Sequence, residues 1–155
     1  MKTQHSLYNV SEIEIHYRNR LDPLHKVKVN RSEHANSILM ANWDMNKIEL
    51  LEQFKILLLD VCCDCYGISE ISTGGKNHCV ADPRIIFATA LKANASSIIL
   101  AHNHPSGNLI PSQADIKITD QLINAGKCLN IPIFDHIIVT QTGYYSFADK
   151  GLIPG

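Results

Sequence analysis

Apolar residues recur along this chain with two different periods, and the switches between them lay out its elements. Residues 9–20 alternate around Ile13, Ile15 and Tyr17, and Val27-Lys28-Val29 resumes the alternation beyond Pro23, so both stretches read as edge strands. From Asn30 the spacing turns helical through Ser32, Glu33, Ala35, Ile38, Leu39 and Trp43, with Asn30 or Ser32 available as the cap. Phe54 to Leu59 is nearly continuous apolar sequence, as expected of a strand covered on both faces. After the turn-like Asp64-Cys65-Tyr66-Gly67, the alternating Ile68 to Ser72 completes a hairpin. Asp82-Pro83 provides an N-cap and an N1 proline for a helix through Ile85, Ile86, Ala88, Leu91 and Lys92, and Ser97 to Ala101 returns as a buried strand. Pro105 and Gly107 make His102 to Gly107 a loop at the end of that strand. Ser112 opens a helix that runs through Leu122 to about Cys128, and Ile133 to Val139 is the last clear strand. This order predicts an α/β (α+β) fold with a mixed β-sheet sandwiched by helices.

Length and composition narrow the class. A chain of 155 residues suits one domain, with residues 1–47 as an N-terminal strand and helix extension and 48–155 as the core. The hydrophobic fraction of 45% against 19% charged residues is that of a folded globular chain. A net charge of -1 with scattered Lys and Arg gives no strong nucleic-acid signature. No apolar h-region follows Met1 to Ser6 and no apolar run is long enough to span a membrane, so the expected location is cytoplasmic. Five cysteines, three of them in Cys62-Cys63-Asp64-Cys65, do not form a secreted disulfide framework. With Cys79 they also lack the paired C-x-x-C of a zinc site, and read as buried or turn thiols.

The chemistry concentrates after the fourth apolar run. Residues i and i+2 of an extended chain project to the same side, so His102 and His104 can turn toward one point. Ser112 and Asp115 stand three apart on the first turn of the following helix, near its positive end. Two neutral imidazoles and a carboxylate form a zinc ligand set that leaves a fourth position for water, a site of catalytic type. Taken singly the pieces have plainer readings: His104 before Pro105 as a turn residue, and Ser112-x-x-Asp115 as a capping box. The H-x-E and P-C-x-x-C pieces of a zinc deaminase are absent.

A Glu followed at a distance by His-x-His, seven residues, Ser, two residues and Asp resembles the JAMM pattern of the JAB/MPN/JAMM zinc metallopeptidases. Ala101-His102-Asn103-His104-Pro105-Ser106-Gly107, Pro111-Ser112, Asp115, Asp135-His136 and Glu52 to Asp60 are similar to the RadC-like branch of that family, from roughly residue 48 onward. The resemblance implies a cytidine-deaminase-like architecture. It also implies one Zn2+ per chain on His102, His104 and Asp115, with Glu52 as general base and later acid, and Ser112 orienting or stabilising the reacting oxygen. Asp135-His136 in the last strand reads as a pair behind the ligands or in the core, with the Asp placed to bond a ligand imidazole as metal sites commonly require. Two departures stand out: Asn103 replaces the Ser or Thr of eukaryotic deubiquitinating relatives, and the first 47 residues lack the Gly-rich hairpins of a helix-hairpin-helix DNA-binding region. The function expected is a zinc-dependent peptidase or isopeptidase. The alternatives are a DNA-repair or mobile-element RadC-like protein, or a non-catalytic MPN-like interaction module. A homodimer is left open.

Overall fold

The computed structural model describes residues 10–154. The opening residues, which carry the start of the expected first strand and the expected lack of a targeting segment, lie outside the described residues, as does Gly155.

Two apolar runs make the centre of the sheet. Strands β2 (Gln53–Leu59) and β4 (Ser97–Asn103) are buried at every position and pair antiparallel, with Phe54 opposite His102. Beyond β2 lies β3 (Asp64–Thr73), its hairpin partner, and then the two-residue β1 (Val27–Lys28). Beyond β4 lie β5 (Ile133–Val139), parallel to it, and β6 (Tyr144–Ser146), so the order is β1-β3-β2-β4-β5-β6. Among the described residues three α-helices cover this mixed sheet: α1 (Ser32–Ala41), α2 (Pro83–Lys92) and α3 (Gln113–Leu129). The alternation of side chains along each strand assigns the faces. Phe54, Ile56, Leu58, Ile98 and Leu100 pack with Ile86 and Phe87 of α2 and Leu122 and Ile123 of α3. Leu57, Leu59, Ile99, Ala101 and Ile137 pack with Ala35 and Leu39 of α1, together with Trp43 and Ile48. The architecture is therefore the expected α+β sandwich, and no helix among the described residues is long and apolar enough to cross a membrane.

Several local expectations are corrected. No strand forms over residues 10–20, and Ile13 and Ile15 are 83% and 94% exposed. Alternation alone does not make a strand when no neighbouring backbone completes the ladder. Asp64 to Gly67 lies inside β3, and the hairpin turns over residues 60–63. There Asp60 Oδ1 accepts the N–H groups of Cys62 and Asp64, and Cys63 adopts a φ of 60°. Gly67 serves packing, since a Cβ there would stand 3.0 Å from Leu58 Cδ1. Helix α1 is preceded by Arg31, with no side-chain cap from Asn30 or Ser32, and it ends before Trp43. His102 and Asn103 belong to β4 and not to the loop that follows.

Candidate metal centre

The site forms where β4 ends and α3 begins, outside the carboxyl end of a strand that pairs parallel with its neighbour. His102 is fixed by the sheet. Its ring is buried and lies parallel to that of Phe54, with planes 5° apart and centroids at 6.1 Å. His104 sits just past the strand, where its N–H still bonds Val139 O at 3.2 Å and its Nδ1 lies 2.6 Å from Asn108 O. A carbonyl can only accept, so His104 Nδ1 carries a proton, which leaves Nε2 as the atom that faces Asp115.

Asp115 comes from the first turn of α3 through the capping box. Its backbone N–H bonds Ser112 Oγ at 3.1 Å, and its Oδ2 accepts Ser112 N–H at 2.7 Å. The box thereby aims the carboxylate at the imidazoles, with Oδ1 3.3 Å from His102 Nε2 and Oδ2 3.3 Å from His104 Nε2. The two Nε2 atoms are 3.0 Å apart. A zinc tetrahedron with bonds of roughly 2.0–2.2 Å has edges of roughly 3.3–3.6 Å, so these donors stand close to the spacing the ion requires. Two imidazoles and one carboxylate fit zinc in chemistry as well as in spacing, and among the described residues this is the one grouping of His, Cys, Asp and Glu so arranged. Cys62, Cys63, Cys65 and Cys79 make no such group there.

The electrostatics follow from these contacts. Burial on its own would raise the Asp115 pKa, but the imidazoles of His102 and His104 set against it hold the carboxyl well below the usual carboxylate range. The hydrogen bond to Asp115 in turn pushes His104 up. Behind the ligands, complete burial pushes His136 well below the ordinary imidazole value.

Glu52 shares the cleft, which has a volume of about 500 Å³ and is lined by Glu52, His102, His104, Ser112 and Asp115 together with residues 76–81. Its backbone is held by Gly75 O at 2.9 Å and Gly74 N at 2.8 Å. Only glycine fits at 74, since a Cβ would come 1.9 Å from His78 O. Cys79 Sγ donates to Glu52 Oε1 at 3.4 Å, and burial, reinforced by the nearby Glu52 charge, pushes the thiol up to about 12.

One expected role moves and two residues join. Asp135 bonds no imidazole. Its carboxyl accepts His136 N–H at 2.7 Å, Ser146 Oγ–H at 2.6 Å and Ala148 N–H at 2.9 Å, which ties β5 to β6 and the turn after it. The partner of the ligand is His136, whose Nε2 lies 2.8 Å from His102 Nδ1. Sequence reasoning missed Thr119, although its place four residues after Asp115 on one helix puts both on the same face. It also missed Asn103 as a structural device. Fully buried between the two histidines, Asn103 accepts Gln53 N–H at 2.7 Å and donates to Ile48 O and Leu51 O at 2.7 and 2.9 Å. It therefore grips the segment that carries Glu52.

Comparison with known proteins places the chain among relatives. Residues 29–152 match the RadC-like JAB domain. A UPF0758 protein of Syntrophomonas wolfei is 46% identical over 102 residues, 66% of this chain and 43% of the relative. One of Thermosynechococcus vestitus is 46% identical over 98 residues, 63% of this chain and 39% of the relative. One of Alkaliphilus oremlandii is 41% identical over 127 residues, 81% of this chain and 53% of the relative. The chain thus spans about half the length of the curated relatives it matches.

Proposed function

The chain belongs to the RadC-like JAB domain family, and from that premise we propose that it is a zinc-dependent hydrolase of the JAMM type, cutting a peptide or isopeptide bond. The observation that carries the proposal is the convergence of His102, His104 and Asp115 on one point in a cleft that also holds Glu52.

Zinc held by His102, His104 and Asp115 supplies Lewis acidity, which makes water a competent nucleophile near neutral pH. Glu52 takes the proton of the attacking water and later delivers it to the leaving amine. Its Oε1 is occupied by the protonated Cys79 thiol, which leaves Oε2 for that transfer. Ser112 Oγ already accepts Asp115 N–H, so its hydroxyl proton is free to donate to the carbonyl oxygen as negative charge develops there. Asp115 and the two histidines do no proton transfer in this scheme; the shift in Asp115 keeps it anionic, as a ligand must be. Five unpaired cysteines suit a reducing compartment, and we place the activity in the cytoplasm.

A peptide reading is favoured over nuclease activity by the near-neutral charge, which offers few partners for a phosphate backbone. The test is incubation of the zinc-loaded protein with a diverse peptide library and with single- and double-stranded DNA, using Glu52→Gln as control. Peptide cleavage that depends on Glu52 is the expected result. DNA cleavage that depends on the same residue, with peptides untouched, overturns it; inactivity on both substrates moves the non-catalytic interaction module ahead.

A further inference from the structure

The two metal-facing elements, β4 and α3, are joined behind the site by three short contacts. Thr119 Oγ1 lies 2.6 Å from Asp115 O and 2.6 Å from His136 Nδ1, and His136 Nε2 lies 2.8 Å from His102 Nδ1. Thr119 is 1% exposed, His136 0% and His102 2%, so no solvent proton can repair a mismatch.

Proton accounting gives this chain a direction. A carbonyl only accepts, so the Thr119 hydroxyl must spend its single proton on Asp115 O. His136 Nδ1 then has to donate to Thr119 Oγ1. A neutral His136 with its proton on Nδ1 has a bare Nε2, which accepts from His102 Nδ1–H. His102 is left with its lone pair on Nε2, the atom that faces Asp115 and His104. The opposite direction would set the Thr119 and Asp115 oxygens 2.6 Å apart with no proton between them.

We propose that Thr119 is a positioning residue which, through His136, locks His102 in the Nδ1–H tautomer and so presents a bare Nε2 to the metal. The relay starts on the backbone carbonyl of Asp115, itself a ligand, so one chain of hydrogen bonds registers the helix ligand against the strand ligand. The proposal rests on the zinc reading of the site for its purpose, while the tautomer it names is a property of the metal-free protein. A neutral hydroxyl four residues along the helix does for His102 what Asn108 O does for His104.

The test reads the ring nitrogens directly. In the metal-free wild-type protein, held at a pH about two units above the ordinary imidazole value, long-range ¹H–¹⁵N correlation of the histidine rings should show His102 and His136 both protonated at Nδ1. Thr119→Val, which keeps the shape and removes the hydroxyl, should turn His102 into a tautomer mixture and weaken zinc affinity by about 10- to 100-fold in chelator competition. Thr119→Ser should restore both. A wild-type His102 protonated at Nε2 overturns the proposal and needs no variant that must fold. So does a folded Thr119→Val protein with wild-type tautomer and zinc affinity. If the wild type shows the expected tautomers but takes up no zinc, the relay stands and the hydrolase reading falls.

Discussion

Asn103→Ala should loosen the segment that presents Glu52 while leaving the ligand set intact. The amide makes three hydrogen bonds, to Gln53 N, Ile48 O and Leu51 O, from a fully buried position. At roughly 0.5–1.5 kcal/mol net for each, their loss amounts to about 3 kcal/mol. For a domain of this size that is a fall in Tm of about 6–12 °C, at roughly 2–4 °C per kcal/mol. His102 and His104 keep their backbone partners and face the other side of the strand, so zinc content should not change. Hydrolysis should drop on the order of 10²-fold, the effect of displacing a reacting group by about 1 Å. Thermal unfolding, metal analysis and hydrogen exchange of the Gln53 amide together read the three parts. An unchanged Tm with an equally protected Gln53 amide would refute the argument that Asn103 holds this segment.

Glu52→Gln should retain zinc and lose turnover, because an amide fills the space of the carboxylate without accepting a proton; turnover by the metal-loaded variant would exclude Glu52 as the base. Ser112→Ala should lower the rate by about 10²–10³-fold if its hydroxyl donates to the developing oxyanion, and should cost about 1 kcal/mol of helix capping seen in thermal unfolding; a rate equal to wild type would leave it a cap alone. The metal-free protein should lose stability on the alkaline side. His104 is raised above its ordinary 6.5, so its contribution is complete below that value and is lost as pH rises through the folded pKa. Asp115 is depressed, so its contribution is present above the ordinary 3.8 and is lost only as pH falls toward the folded value. Saturating zinc, which takes the place of the His104 proton, should remove the alkaline limb; a metal-free Tm that stays flat across that limb would count against the Asp115–His104 pairing.

What was legible in the sequence was what short-range chemistry decides. The Asp82 cap with Pro83 set the start of α2, since Asp82 accepts Arg84 N–H within its own turn. The runs Phe54 to Leu59 and Ser97 to Ala101 could only be central strands. His102, His104, Ser112 and Asp115 could be grouped because strand and helix periods fix which side chains share a face. What was not legible depends on partners distant in the chain. Ile13, Ile15 and Tyr17 alternate like a strand, yet whether a ladder forms depends on backbone elsewhere. The hairpin turn was misplaced because Gly67 looks like a turn residue when its reason is the Leu58 side chain across the ladder. Asn103, Thr119 and the true role of Asp135 depend on contacts with segments 11 to 55 residues away, and neither composition nor spacing marks them.

The most direct test of the central claim is metal analysis of the purified protein after exposure to a zinc-replete buffer. About one zinc per chain is expected for the wild type, with none retained by His104→Ala or Asp115→Ala proteins that still unfold cooperatively. A folded wild-type protein that holds neither zinc nor a similar divalent ion would contradict the account.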